Sequence, residues 1–180
     1  MSIQPKIAAI SVPFDLGAGR RGASQGPQSI LQAGLIQDLL DMALSIDHVA
    51  DIPAPQGNMA PLDPQLDITN LNYLAEVIDI NTRLANQVSL TVEQGSFPLV
   101  IGGDHSIAIG TLAGLAAHYT NLGVIWIDAH SDLNTATTSP SGNIHGMSLA
   151  VSLGIGHPLL TEIKDLKPKV KPENIVLIGA

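Results

Sequence analysis

The chain has 180 residues, 45% of them hydrophobic and 13% charged, with a formal net charge of −8. This length suits a single domain over 1–180 with a sizeable core, and the composition excludes a disordered tail. With 16 acidic residues against 8 Lys and Arg, it lacks the cations that nucleic acid or an anionic membrane requires, and the absence of cysteine excludes disulfides, thiolate metal sites and a cysteine nucleophile.

The N-terminal "KIAAISVP" predicts a buried strand. "GPQSILQAGLIQDLLDMAL" predicts one helix, with Pro27 in its first turn and Ile30, Leu31, Leu35, Leu39 and Leu40 mostly at helical spacing. "IDHVADI" predicts a shorter strand, and the Pro-rich stretch 53–64 a surface loop. "DITNLNYLAEVIDINTRLANQVSLTVEQG" predicts a long helix with an apolar stripe of Leu71, Leu74, Val77, Ile78, Leu84 and Val88, stopped by Gly95. "FPLVIGGD" and "LGVIWIDAH" predict strands separated by the small-residue helix "SIAIGTLAGLAAHY". "HGMSLAVSLGIG" opens another helix, Lys164, Lys167, Lys169 and Lys171 mark a solvated helix end or loop, and "ENIVLIGA" is a last strand. Strands apolar on both faces that alternate with helices predict an α/β fold: three layers, α/β/α, around a mostly parallel sheet.

The N-terminal apolar run is too short for a secretory leader, and nothing approaches the ~18 apolar residues of a membrane span. These features predict a cytoplasmic protein whose partners include neither membrane nor nucleic acid.

Asp128, His130 and Asp132 follow the strand that ends at Ile127, at alternate positions that share a face if the extended conformation continues. Open α/β sheets place their sites at strand C-termini. "GGDHS" at 102–106 ends the preceding strand in the same manner and brings His105 to the same crevice. Imidazoles and carboxylates together suit a borderline divalent ion such as Mn, Zn, Fe, Co or Ni. Asp104 beside His105 suits an orienting hydrogen bond. His48, His118 and His157 lack such companions and are expected to be structural or solvated.

"GGDHS" followed by "DAHSD" resembles the signature of the ureohydrolases, the arginase and agmatinase superfamily. "DLNTATTSPSGNIHGM" and the opening "VPFDLGAGRRGASQGPQSILQAGL" are closer to the arginases, so the resemblance covers nearly the whole chain. It implies manganese-dependent hydrolysis of L-arginine to L-ornithine and urea by a metal-bridging hydroxide. It assigns His105 and Asp132 to a first manganese, His130 to a second, and Asp128 as a bridge between them. Asn134, Ser141 and Asn143 match the residues that read the α-carboxylate and α-amino groups of the substrate, and His145 the histidine that transfers a proton. The loop with Arg20 and Arg21 lies near the site without an assigned role. The resemblance further implies a homo-oligomer, trimer or hexamer.

The family carries a later "DxD" pair that completes both metal shells. The acidic residues after Asp132 are Glu162, Asp165 and Glu173, none of which follows a strand. Asp128 and Asp132 alone offset half the charge of two divalent ions. The reading therefore expects a truncated sequence, weak or single-metal binding, and a gap in the sheet where later strands would insert. The alternatives are an agmatinase-type ureohydrolase and a non-catalytic fragment or interaction subunit.

Overall fold

The structure is a computed structural model that describes residues 6–55, 62–63, 66 and 68–180. Much of the expected Pro-rich loop over 53–64 lies outside the described residues.

Strand β1, Lys6–Val12, is buried from Ile7 onward because it is central, with β2 (Ile46–Asp51) and β3 (Ser96–Gly102) parallel on either side. Strands β4 (Val124–Ile127) and β5 (Ile175–Ile178) form a second parallel pair. Among the described residues the strands thus fall into two sheets, β2-β1-β3 and β4-β5, with β3 and β4 not paired to each other. The α/β class and parallel pairing are as expected. Burial on both faces of every strand is not: Ile125 and Ile127 are 70% and 75% exposed, because nothing among the described residues covers that side of β4.

The first expected helix is two. Helix α1, Gly26–Gln32, and α2, Leu35–Asp41, are separated at Gly34, whose φ of 108° lies in the left-handed region that glycine tolerates. The α1 residues Gln28, Leu31 and Gln32 share a cavity with Ser11 of β1 and Asp51 of β2, so α1 covers that face of the sheet.

The opposite face packs under α3, Leu74–Glu93, where Val77, Ile80, Leu84 and Val88 join Ile10 and Val12 in the main core. Their 3- and 4-residue spacing places them on one side of the helix. The helix starts later than the sequence implies, after a left-handed Tyr73, so Leu71 is buried ahead of it. Gly95, at φ 78°, follows its end.

Helix α4, Ala108–Ala116, lies close against α3. A Cβ at Gly110 would stand 2.5 Å from the carbonyl oxygen of Asn81, and one at Gly114 would stand 2.7 Å from that of Ala85. Buried Asn81 donates to the Val77 carbonyl and accepts from the Gly110 N–H at 2.7 Å, which satisfies a donor that the first turn of α4 leaves free. Helix α5, Ser148–Ser152, and α6, Pro158–Thr161, complete the described helices.

One lysine of the expected solvated cluster is buried. The Lys169 ammonium donates to the carbonyls of Thr161 and Leu166, and burial pushes its pKa down to about 8. His48 pairs with Asp47, His118 meets Ser89, and the His157 ring accepts from the Leu159 N–H at the start of α6; these three histidines are structural.

Gly110→Ala is expected to destabilise the chain by about 1–3 kcal/mol through overpacking against the α3 backbone, despite the better helix propensity of alanine. A lower denaturation midpoint at unchanged m-value checks this.

Candidate metal centre and adjoining polar pocket

The strand-end loops meet where glycines let backbones touch. After β1, the Phe14 carbonyl accepts the Asp104 N–H, and a Cβ at Gly103 would overlap that oxygen. Asp104 accepts from Ser106 N–H at 2.8 Å and from Ala18 N–H at 3.1 Å, so it orients the turn. His105 opens the short 3-10 turn His105–Ile107 that leads into α4.

The His105 ring stacks on Trp126 of β4, with centroids 4.4 Å apart and planes at 20°. Its Nδ1 lies 2.9 Å from Asp128 Oδ2 and 2.9 Å from Asp132 Oδ2. Asp128 is held from below by its N–H on the Ile178 carbonyl.

Asp132 reaches the cluster differently from the expected extended backbone. Strand β4 ends at Ile127, and Asp132 takes a left-handed φ of 50°. Its carbonyl accepts the N–H groups of Leu149 and Ala150, both at 3.1 Å. Capping α5 therefore supports this conformation, which aspartate tolerates better than most residues.

Together, His105, Asp128 and Asp132 offer ligand atoms within 4.8 Å of one another. His130 stands beside this group. Its side chain is 84% exposed, and its Nδ1 lies 3.3 Å from Asp128 Oδ1, so Asp128 faces one imidazole with each oxygen.

One ring N–H cannot serve two carboxylates at once. Asp132 Oδ2 is buried and accepts no hydrogen bond of good geometry, although His105 is near it. A divalent cation would satisfy that oxygen, and this imidazole and carboxylate set fits a borderline ion.

The Asp132 carboxylate close beside Nδ1 raises the His105 pKa above 6.5, with Asp128 adding to the effect and burial opposing it. The N–H of His130 and the charge of His105 hold Asp128 below its ordinary value.

A cavity of about 480 Å³ adjoins the cluster, and His130, Asp132, Asn134, Ser141, Asn143 and His145 are among its lining residues. The expected site residues other than His105 and Asp128 thus share one wall. Ser139, which the sequence reading passed over, lines it as well.

Hydrogen bonds commit the oxygens of this loop inward. Asn134 Oδ1 accepts from Thr138 at 3.1 Å, Ser139 Oγ from Gly142 N–H at 3.0 Å, Ser141 Oγ from Asn143 N–H at 3.3 Å, and Asn143 Oδ1 from Asn72 at 3.0 Å. The amide NH2 and hydroxyl hydrogens of these residues remain to donate. His145 is held by its N–H on the Gly17 carbonyl, and the single Ser148 hydroxyl hydrogen is shared between the carbonyls of His145 and His105, at 2.9 and 3.0 Å.

Asn70 and Asn72 were missed because they fall in a stretch that looked helical. Asn70 donates to the carbonyls of Ala136 and Ser139, and Asn72 to that of Ser141. Trp126 gave no signal beyond strand hydrophobicity. Of the two expected loop arginines, Arg21 pairs with Asp15 at 3.2 Å.

Comparison with known proteins bears on this arrangement. The Arginase family profile matches residues 5–180. The arginase of Bacillus subtilis (strain 168) is 54% identical over 174 residues, which cover 97% of this chain and 57% of that protein. The crystal structure of the B. subtilis arginase superposes with a TM-score of 0.87 at 52% identity, covering 98% of this chain and 56% of the other. That of the Bacillus caldovelox arginase gives 0.86 at 52%, covering 97% and 57%. The chain therefore spans less than two thirds of the length of the arginases it matches.

In the metal-free chain, raising the His105 pKa stabilises the fold fully below the ordinary imidazole value of 6.5, and this contribution is lost as pH rises through the folded value. Asp132→Asn keeps a side chain that tolerates the left-handed backbone and removes the charge. The His105 titration midpoint, followed by NMR, is expected to fall toward 6.5 in that variant; an unchanged midpoint would contradict the assigned cause.

Proposed function

The chain belongs to the arginase family, and on that premise we propose that it serves manganese-dependent hydrolysis of L-arginine to L-ornithine and urea. The observation that carries this reading is the part of the pocket wall formed by Asn134, Ser139, Ser141 and Asn143, whose side chains present donors while their oxygens accept within the protein. A wall of donors suits an acceptor, and the α-carboxylate is the strongest acceptor an amino acid carries.

His105 and Asp132 would hold a first manganese ion, His130 a second, and Asp128 would bridge them. The side-chain types and their closeness support this. When bound, the metal supplies a hydrolytic nucleophile near neutral pH.

The protein's own residues do the rest. Asn134, Ser141 and Asn143 hold the amino-acid end of the substrate. His145, on the same wall, carries a proton to the departing ornithine nitrogen; imidazole suits this because it exchanges protons near neutral pH. The Ser148 hydroxyl on its carbonyl, and Gly17 on its N–H, fix where that ring starts.

An agmatinase-type reaction is the weaker reading, because a decarboxylated substrate leaves these donors without an acceptor. A non-catalytic interaction subunit is favoured by one observation, the exposed apolar face of β4. The reading as an arginase also carries a homo-oligomer in the cytoplasm. It is compatible with the finding that no helix among the described residues is long and apolar enough to cross a membrane.

Urea release with manganese, from L-arginine and from agmatine, by a full-length form that carries the family's later "DxD" pair, tests the proposal. The expected result is release from L-arginine alone, falling to background in Asp128→Ala. Preference for agmatine would move the protein to the agmatinase type. Manganese binding without urea release from either would favour the non-catalytic subunit.

A further inference from the structure

We propose that Asn72 is a specificity-determining positioning residue, which fixes the face that Asn143 shows to the substrate and so favours ligands with a carboxylate. This rests on the arginine reading above.

The argument turns on what can donate and what can only accept. Asn72 Nδ2 lies 2.9 Å from the carbonyl oxygen of Ser141. A backbone carbonyl only accepts, so the end of the Asn72 amide that meets it must be NH2. The same NH2 lies 3.0 Å from Asn143, so the atom of Asn143 that meets it must be the oxygen. Asn143 is left to present its NH2 away from Asn72. The amide orientation, usually ambiguous by shape alone, is thus dictated through a chain of two bonds that begins at a backbone atom.

The space around that NH2 agrees. A Cβ at Gly19 would stand 2.6 Å from Asn143 Nδ2, so only a residue without a side chain leaves the donor uncovered. Asn72 also donates its backbone N–H to the Gly142 carbonyl at 3.0 Å, so one residue grips Ser141, Gly142 and Asn143. Gly142 must pass close by: its φ is 73°, and a Cβ there would stand 2.6 Å from Asn70 Oδ1.

Without the Asn72 side chain, Asn143 is free to rotate its amide and offer Oδ1 to the pocket. An oxygen there repels a carboxylate and has no such effect on a ligand that lacks one. Asn72 acts through Asn143 and touches no reacting atom. It is exposed, so water competes for its bonds and the effect is modest.

The test is calorimetric binding of L-arginine and of agmatine, which lacks the carboxylate, to the metal-free chain, in which neither is hydrolysed. Asn72→Ala is expected to weaken L-arginine about three- to tenfold while leaving agmatine within about twofold. Asn72→Lys, which carries donors only, is expected to restore the preference. In an Asn143→Ala background, the Asn72 substitutions are expected to leave the ratio unchanged, which separates the amide effect from added charge. Equal weakening of both ligands by Asn72→Ala, or weakening of neither, overturns the proposal while the arginine reading stands. No preference for L-arginine in the unsubstituted chain overturns both.

Discussion

The imidazole of His105 is the piece on which the rest of the arrangement depends. It leaves the end of β3, lies flat on Trp126 of β4, and faces the two carboxylates that follow β4. Strands β3 and β4 share no hydrogen bond among the described residues, so this ring joins the C-terminal ends of two separate sheets. Beneath it, Leu112, Leu149 and Val170 pack with Trp126 in a small core of their own. The stack rests on a buried floor while the ring's nitrogen faces charge.

A cluster of two carboxylates around one imidazole nitrogen is electrostatically unfinished. The raised pKa of His105 and the buried, unpartnered Asp132 Oδ2 express the same condition, an excess of negative charge that a proton meets only in part. Structure around the cluster holds it together regardless. The Asp132 backbone is turned by its duty at the start of α5, and the end of β5 lies directly under Asp128, where a Cβ at Gly179 would meet the Asp128 carbonyl at 2.8 Å. Backbone hydrogen bonds of the fold thus position both carboxylates, which would lower the ordering cost of binding an ion there.

Periodicity made β1 and α3 legible, because each buries its apolar residues at the spacing its geometry demands. The clusters at 104–105 and 128–132 were legible because ligand-type residues close two apolar strands. The backbone that assembles them was not. Alternation suggested an extended segment through Asp132, whereas a tertiary need, the capping of α5, bends it into the left-handed region. The break at Gly34 was hidden by a continuous apolar pattern, and Lys169 by its company of exposed lysines. Asn70 and Asn72 were hidden because their role lies in contacts with a loop about 70 positions away in sequence, which no local pattern encodes.

The measurement that bears most directly on this account is anomalous X-ray scattering from crystals of the chain grown with manganese. The account predicts a peak among His105, Asp128 and Asp132, in contact with Asp132 Oδ2. A well-ordered crystal saturated with manganese, with His105 still 2.9 Å from both carboxylates and no peak between them, would contradict the assignment of a metal centre.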